Sequence, residues 1–196
     1  MDESTEDIMS ATYRALCAHG YADLTMQRIA DESDRSKAAL HYHYDTKEEL
    51  LRSFLDYLLD DFESRLACES ADPRDRLDTF LEAVFGPAEA DDRGDFAVAL
   101  LEIKAQAPYS ESYRDRLRAL DERMRETVAA AVRDGVEAGD FEAVDPDDVA
   151  RFTVTAINGA HVREVTFDES AAEARRLVEA YLDETLRRDT GAEVSV

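Results

Sequence analysis

The chain has 196 residues and a formal net charge of −23, from 46 acidic and 23 basic residues. This length allows one large domain or a small domain beside a larger one. Apolar residues recur at helical spacing almost throughout, which excludes a disordered chain. No signal peptide and no apolar run of membrane-spanning length is found, so we expect a soluble cytoplasmic protein without a membrane partner.

The acid excess is accompanied by few lysines, which are Lys37, Lys47 and Lys104. This composition is typical of proteins that stay hydrated in concentrated salt, where charge repulsion is screened, and we interpret it as haloarchaeal. An ordinary acidic cytosolic protein is the alternative. The cysteines, Cys17 and Cys68, have no zinc or redox spacing, and we expect buried or half-buried thiols.

No window alternates with period two, so the expected fold class is all-α. The predicted helices span about residues 4–19, 26–33, 37–43, 47–68, 73–86, 92–107, 110–138, 146–166 and 171–188. Gly20 and Gly139 suit left-handed C-caps of the first and seventh helices. The predicted N-cap signals are Asp145 before Pro146 and the capping boxes Thr46-x-x-Glu49 and Ser170-x-x-Glu173.

Residues 25–47 are electrically neutral, unlike the rest of the chain. Their charged residues are Arg28, Arg35, Lys37 and Lys47 against Asp31, Glu32, Asp34 and Asp45. The net negative charge therefore lies outside this segment. An acidic chain repels the phosphates of nucleic acids, and this repulsion is weakest at a neutral segment. This neutral window therefore indicates DNA as a partner.

The same window is typical of two short helices joined by a tight turn. Thr25 and Ser36 are the expected N-caps of the second and third helices. The residues expected to face a small core are Ile29, Ala30, Leu40 and Tyr44. Ala38 and Ala39 at the start of the third helix would let its backbone approach base edges in the major groove.

The polar residues that follow extend this surface. His41, Tyr42 and His43 can reach phosphates or bases. Lys47 begins the next helix, where its ammonium and the unpaired backbone N–H groups could hold a phosphate.

A metal site is the alternative for His41-x-His43-x-Asp45. On a helix, residues two apart point roughly 200° apart, so one ion cannot easily bind both histidines. The chain also has no convergent nucleophile–base or carboxylate–histidine motif. We therefore expect neither a metal, a cofactor nor an enzyme.

Several positions match a known family in register. Ile29-Ala30, Ser36-Lys37-x-x-Leu40 and His43-Tyr44-x-x-Lys47-Glu48-Glu49-Leu50 resemble the DNA-binding domain of the TetR family of transcriptional regulators. Ile8-x-x-Ala11 and Leu16-x-x-x-Gly20-Tyr21 resemble that family's first helix. Gly139-x-Phe141, Asp145-Pro146-Asp147 and Ala156-Ile157-Asn158-Gly159 are similar to the back half of many members.

The resemblance implies roles for the residues of the window. Thr25 and Gln27 match positions that touch the DNA backbone or bases. Base-reading positions are matched by Lys37, Ala38 and Ala39, and phosphate-contacting positions by Tyr42, His43 and Lys47. The predicted DNA-binding set is Thr25, Gln27, Arg35, Ser36, Lys37, Ala38, Ala39, His41, Tyr42, His43 and Lys47.

The chain departs from the family pattern at the turn and at one aromatic position. Asp34-Arg35 replaces the usual glycine and aliphatic residue. Asp34 is expected to adopt the left-handed turn conformation. Arg35 is expected to extend outward and add a DNA contact. His41 stands where the family has an aromatic residue.

The remaining helices carry apolar stripes that must bury one face. The resemblance implies that the fourth to seventh helices surround a small-molecule pocket, although a plain packed core is the alternative for each residue. The predicted ligand-binding set is Phe62, Phe80, Phe96, Leu100, Lys104, Tyr113, Leu117, Met124 and His161. Lys104 is either a solvated flank or a receptor for an anionic ligand, and a packed core position is favoured for His161.

The resemblance also implies a homodimer, with the eighth and ninth helices of two subunits forming a four-helix interface. The predicted interface set is Phe152, Ala156, Ile157, Ala160, Leu177 and Tyr181. Packing of both stripes within one subunit is the alternative. The expected division is a DNA-binding domain at residues 1–46, a regulatory and dimerisation domain at 47–188, and a frayed tail at 189–196.

These observations lead to one main hypothesis. It is a ligand-responsive repressor that leaves a palindromic, double-stranded DNA operator when a small-molecule effector binds. An architectural or co-regulator DNA-binding protein without a ligand is the alternative, and thermal stabilisation by small molecules would separate the two.

Overall fold

The structure is a computed structural model that describes residues 3–66, 70–86 and 93–187. Within these ranges the regular structure is entirely α-helical, which confirms the predicted fold class. The helices are α1 Glu3–Asp23, α2 Met26–Asp31, α3 Lys37–His43, α4 Lys47–Arg65, α5 Pro73–Phe85, α6 Arg93–Gln106, α7 Glu111–Ala138, α8 Pro146–Phe167 and α9 Ala171–Leu186. Cys68 and the predicted tail at 189–196 lie outside the described residues, while Cys17 is half-buried as expected.

Most of the predicted N-caps are confirmed. The side chains of Thr25 and Ser36 accept hydrogen bonds from the third backbone N–H that follows each of them. Asp145 accepts from the backbone N–H groups of Asp147 and Asp148 at the start of α8. The capping box at Ser170 is wrong, because its side chain makes no capping hydrogen bond.

The capping box predicted at Thr46 forms, but its return hydrogen bond goes to the residue before Thr46. The Thr46 hydroxyl accepts from the Glu49 N–H at 3.1 Å. The Glu49 carboxylate accepts from the Asp45 N–H at 3.0 Å rather than from Thr46. Two N–H groups at the start of α4 are thereby satisfied by side chains of the same turn.

The two predicted glycine caps behave differently. Gly139 follows the last residue of α7 with a φ of 78°, as a C-terminal glycine should. Gly20 has a φ of 68° but a ψ of 172°, and α1 continues beyond it to Asp23. The regular helix thus stops at a kink at Gly20, as the sequence predicts, although the ψ of Gly20 is not that of a left-handed cap.

By its contacts the chain divides into two compact units. Unit 1 comprises residues 1–64 and 87–120, and unit 2 comprises residues 65–86 and 121–196. The functional division expected at residue 46 does not coincide with either unit and stays a prediction. No helix in the described ranges is long and apolar enough to cross a membrane.

The core of unit 1 joins the predicted helix-turn-helix to α4, α6 and the start of α7. α1 packs against both α6 and α2, and α2 packs against α3. The largest buried side chains of this core include Ile8, Met9, Leu16, Leu24, Ile29, Leu40, Leu50, Leu51, Phe54 and Tyr113. The buried Leu40 anchors α3 in this core.

Unit 2 is built on the packing of α9 against α8 and α5. Its buried side chains include Phe80, Leu81, Val128, Val132, Phe141, Val154, Ile157, Val178, Leu182 and Leu186. A Cβ at Gly135 would lie 2.2 Å from the Phe141 ring, so this glycine lets the ring pack directly on the α7 backbone.

Candidate nucleic-acid interface

The segment from α2 to α3 forms the predicted helix-turn-helix. α2 ends at Asp31 and α3 begins at Lys37, and each helix has its own side-chain N-cap. The sequence correctly predicts that Ile29, Leu40 and Tyr44 are buried. One face of each helix therefore packs against the rest of unit 1.

The opposite face of these helices is exposed. The exposed members of the predicted DNA-binding set are Thr25, Gln27, Ser36, Lys37, Ala38, His41, Tyr42 and His43, and Ala39 is half-buried. The Tyr42 side chain is 87% exposed, and its ring meets the His43 ring edge to face at 5.4 Å. Two small alanines followed by polar and aromatic side chains form a surface that can approach base edges closely while donating to phosphates.

The turn differs from its predicted geometry. Asp168 is the only non-glycine residue with a positive φ in the described part of the chain, so the left-handed conformation predicted for Asp34 is wrong. Arg35 is half-buried, and its guanidinium forms an ion pair with Asp7 at 3.1 Å. The structure therefore gives Arg35 a partner on α1, and its DNA contact stays a prediction.

Other cations and donors of the window also have partners within the protein. The Arg28 guanidinium donates to the Asp23 carbonyl at 2.6 Å. The Gln27 amide donates to the Asp31 carboxylate at 2.8 Å. These bonds hold the polar side chains in place and reduce the positive charge that is available to DNA.

Lys47 is half-buried at the start of α4, and Tyr21 is its partner. Its ammonium donates to the Tyr21 carbonyl at 3.3 Å and lies 4.5 Å from the centroid of the Tyr21 ring. The Tyr21 N–H in turn donates to the Glu102 carboxylate on α6. No sequence signal predicts the bond between Tyr21 and Glu102, because these residues are 81 positions apart and share no motif.

The metal alternative has no geometric support at His41 and His43. Both residues lie on helix α3, where positions two apart point in different directions. In the described ranges no group of three or more histidine, cysteine, aspartate or glutamate side chains is arranged to hold a metal ion.

The predicted ligand-binding residues fall into both compact units. Phe62, Leu100, Lys104, Tyr113 and Leu117 belong to unit 1, and Phe80, Met124 and His161 belong to unit 2. The Phe96 side chain lies outside the described residues. His161 packs near Phe85, with 6.0 Å between ring centroids, in agreement with a packed position.

Tyr113 and Leu117 pack against the core that supports the helix-turn-helix. Tyr113 is only 1% exposed, and burial raises the pKa of its phenol, with smaller contributions from neighbouring Tyr21 and Glu48. A core role is therefore established for both residues by the structure, and their contact with a ligand stays a prediction.

The eighth and ninth helices present an exposed apolar face in unit 2. Phe152 and Leu177 are 52% and 56% exposed, and the Phe152 and Tyr181 rings lie 4.2 Å apart. Ala156 and Ala160 are half-buried beside them. Ile157 is the exception in the predicted interface set, because it is fully buried inside the subunit and cannot reach a partner.

Known proteins share both halves of this arrangement. Residues 8–54 match the model of bacterial regulatory proteins of the tetR family, and residues 73–187 match the C-terminal model of BetI-type transcriptional repressors. The HTH-type transcriptional regulator BetI of Agrobacterium fabrum is 26% identical over 188 residues, which cover 92% of this chain and 86% of that protein.

Solved structures of transcriptional regulators share the fold of this chain. A TetR transcription regulator from Haloarcula marismortui is 44% identical, with a TM-score of 0.87 over 95% of this chain and 100% of that chain. A protein from Saccharomonospora viridis in complex with choline is 22% identical, with a TM-score of 0.83 over 96% of this chain and 100% of that chain. The second likeness shows the fold alone.

The capped helix pair and these matches define a DNA-binding helix-turn-helix regulator of transcription. Its C-terminal match alone spans more than half of the sequence. The chain belongs to the TetR family of transcriptional regulators, as its motifs predict. The interpretation of the composition as haloarchaeal agrees with the Haloarcula relative and stays a prediction.

Proposed function

We propose that this chain is a homodimeric repressor that binds a palindromic operator and is released from it by a small molecule. The observation that carries the proposal is the exposed face of α3, with Lys37, Ala38 and Tyr42 all accessible on a helix whose other face is buried. The residue types suit entry into the major groove, where small side chains permit close approach.

The assignment of DNA contacts follows from exposure and chemistry. Lys37, Ala38 and Ala39 would face base edges, because they occupy the first turn of α3. His41, Tyr42 and His43 would donate to phosphates, with Thr25, Gln27 and Ser36 at the rim. Contacts to phosphate position the protein, whereas contacts to base edges specify the sequence.

The dimer proposal rests on the exposed face of α8 and α9. Phe152 and Leu177 are large apolar side chains that remain half-exposed in one subunit. Gly159, on the exposed side of α8, has no neighbouring atom within 4 Å of where a Cβ would be. A mid-helix glycine costs about 1 kcal/mol relative to alanine, and close approach of a partner helix would explain it.

An open groove of about 610 Å³ on this face supports the same assignment. Phe152 and Tyr181 line it together with Val144, Val149 and Thr155. A second copy of the chain, related by two-fold symmetry, would cover this face with its own α8 and α9. The dimer would then present two α3 helices to the two halves of a palindrome.

We predict that Tyr42→Phe and Lys47→Ala weaken DNA binding about equally on all sequences, because both side chains are assigned to phosphates. Lys47→Ala should also reduce the salt dependence of binding by about one counterion. Fluorescence anisotropy with a selected operator and an unrelated duplex measures both effects. Tyr109→Phe is the matched control, because Tyr109 is 88% exposed outside the helix-turn-helix.

A change of preferred sequence in Lys47→Ala, with an unchanged salt dependence, would contradict the phosphate assignment. Equal loss of affinity in Tyr109→Phe and Tyr42→Phe would show that the Tyr42 hydroxyl has no special contact.

The choline complex of the Saccharomonospora relative makes a small organic cation the first effector to test. A net charge of −23 also raises the local concentration of cations around this chain. We expect choline to raise the melting temperature of the protein and to release the protein from its operator. The uncharged isostere of choline, 3,3-dimethyl-1-butanol, should do neither. Stabilisation by both compounds or release by neither would contradict a cation effector, and a lack of stabilisation by any metabolite tested would favour the ligand-free alternative.

A further inference from the structure

We infer that Glu102, on α6, is a positioning residue for DNA binding, which acts by fixing Tyr21 and through it the phosphate-contacting Lys47. The inference rests on the proposed DNA contact of Lys47. Glu102 itself is expected to touch no DNA. All three residues belong to unit 1.

The inference begins at the internal break of α1. Gly20, with a φ of 68° and a ψ of 172°, is not helical, so the regular hydrogen-bond ladder of α1 is interrupted there. The next N–H, that of Tyr21, donates to Oε2 of Glu102 instead. A backbone N–H bonded to a carboxylate is one of the stronger hydrogen bonds in proteins.

Gly20 serves this contact in a second way. A Cβ at residue 20 would lie 2.8 Å from the same Glu102 oxygen, closer than non-bonded atoms approach. A side chain would also be strained at this positive φ. The glycine therefore provides both the break that exposes the N–H and the space that admits the carboxylate.

The other side of Tyr21 holds Lys47. The Tyr21 carbonyl accepts from the Lys47 ammonium at 3.3 Å, and the Tyr21 ring lies beneath it at 4.5 Å. One residue thus links three helices, with α6 bound to its N–H and α4 bound to its C=O. Loss of the Glu102 contact would free the end of α1 and with it the support that aims Lys47.

This role predicts a pattern of variant effects that differs from the one expected of simple charge. Removing an acidic side chain from a polyanion should strengthen DNA binding, because repulsion from phosphates falls. A positioning role instead depends on the reach of the side chain rather than on its charge. Two conservative variants separate these properties: Glu102→Gln loses the charge but keeps an acceptor at the same reach, and Glu102→Asp keeps the charge but is one methylene shorter.

The experiment measures the affinity of each full-length variant, by anisotropy over a KCl series, for a duplex that the wild-type protein has enriched from genomic fragments. We expect Glu102→Asp to bind about tenfold more weakly and Glu102→Gln to bind within about twofold of the wild type. Glu102→Asp should also lose about one counterion from its salt dependence, as Lys47→Ala does. In the Lys47→Ala background, Glu102→Asp should cost no more than about twofold further.

The contrary results are equally distinct. Stronger binding by Glu102→Gln with unchanged binding by Glu102→Asp, as simple charge predicts, or full additivity with Lys47→Ala, would overturn the inference. If Glu102→Asp does not fold, Gly20→Ala replaces it, because its Cβ displaces the same carboxylate. Failure of the wild type to enrich any duplex would refute the proposed function itself, and so is distinguishable from failure of Glu102 alone.

Discussion

Leu177→Glu is expected to convert the dimer into folded monomers and to lower operator affinity by at least about a hundredfold, because the second half-site is lost. Leu177 is 56% exposed in the subunit, so a carboxylate there remains hydrated and leaves the fold intact. In the dimer the same carboxylate would be desolvated without a partner, at a cost of several kcal/mol. Light scattering, melting temperature and anisotropy measure mass, folding and affinity on one sample.

Two further variants serve as controls, one for the added charge and one for unfolding. Val98→Glu places the same charge on another half-exposed aliphatic residue, in unit 1, and should leave the dimer unchanged. Ile157→Glu buries a charge at a position with no exposure and should unfold the subunit rather than release a folded monomer. A Leu177→Glu protein that stays dimeric, or a wild type that is monomeric at micromolar concentration, would refute the proposed interface.

Operator binding is expected to persist in molar KCl with an unusually shallow salt dependence. An ordinary repressor with six to ten phosphate contacts has a log–log slope of about −5 to −9, and we expect a slope no steeper than about −2 here. The reason is the balance of charge, because residues 25–47 are neutral and the rest of the chain is strongly acidic. Repulsion of DNA by the acidic surface fades as salt rises and offsets part of the lost phosphate attraction.

The structure strengthens this expectation through the partners of the cations. Arg35 is paired with Asp7, Arg28 with Asp23, and Lys47 with the Tyr21 carbonyl. Exposed ion pairs are weak, but each reduces the field that a nearby phosphate would feel. Contacts from Lys37, Ala38 and Ala39 to base edges would then carry more of the specificity.

Affinity measured from tenths molar to molar KCl tests this prediction. Asp7→Asn is the informative variant, because it releases Arg35 and removes one acidic charge, and should therefore steepen the slope by about one counterion. A steep wild-type slope would contradict both the halophilic interpretation and the role assigned to the neutral window.

The helix-turn-helix could be predicted from sequence because its determinants are local. Thr25 and Ser36 cap their helices through bonds to residues three positions later, and Leu40 with Tyr44 marks the buried face by spacing alone. Pro146 after Asp145 fixed the start of α8 in the same way. Such signals lie within one turn of helix and need no tertiary information.

The errors arose where distant contacts decide the outcome. Ile157 shares an apolar stripe with interface candidates, but only tertiary packing determines that it faces inward. Gly20 has the expected positive φ, but its ψ of 172° is not that of a left-handed cap, and the N–H that follows it donates to the distant Glu102 carboxylate. Arg35 pairs with Asp7 on α1, and no sequence motif connects these two residues.

The central claim is sequence-specific binding by a two-fold symmetric dimer. Capture of fragmented genomic DNA by the purified wild-type protein, followed by sequencing of the bound fragments, tests it most directly. The account predicts an enriched inverted repeat with half-site centres about one helical turn apart, or a multiple of it, and no enrichment with Leu177→Glu. Enrichment of no sequence, or of a single asymmetric site bound equally by Leu177→Glu, would contradict it.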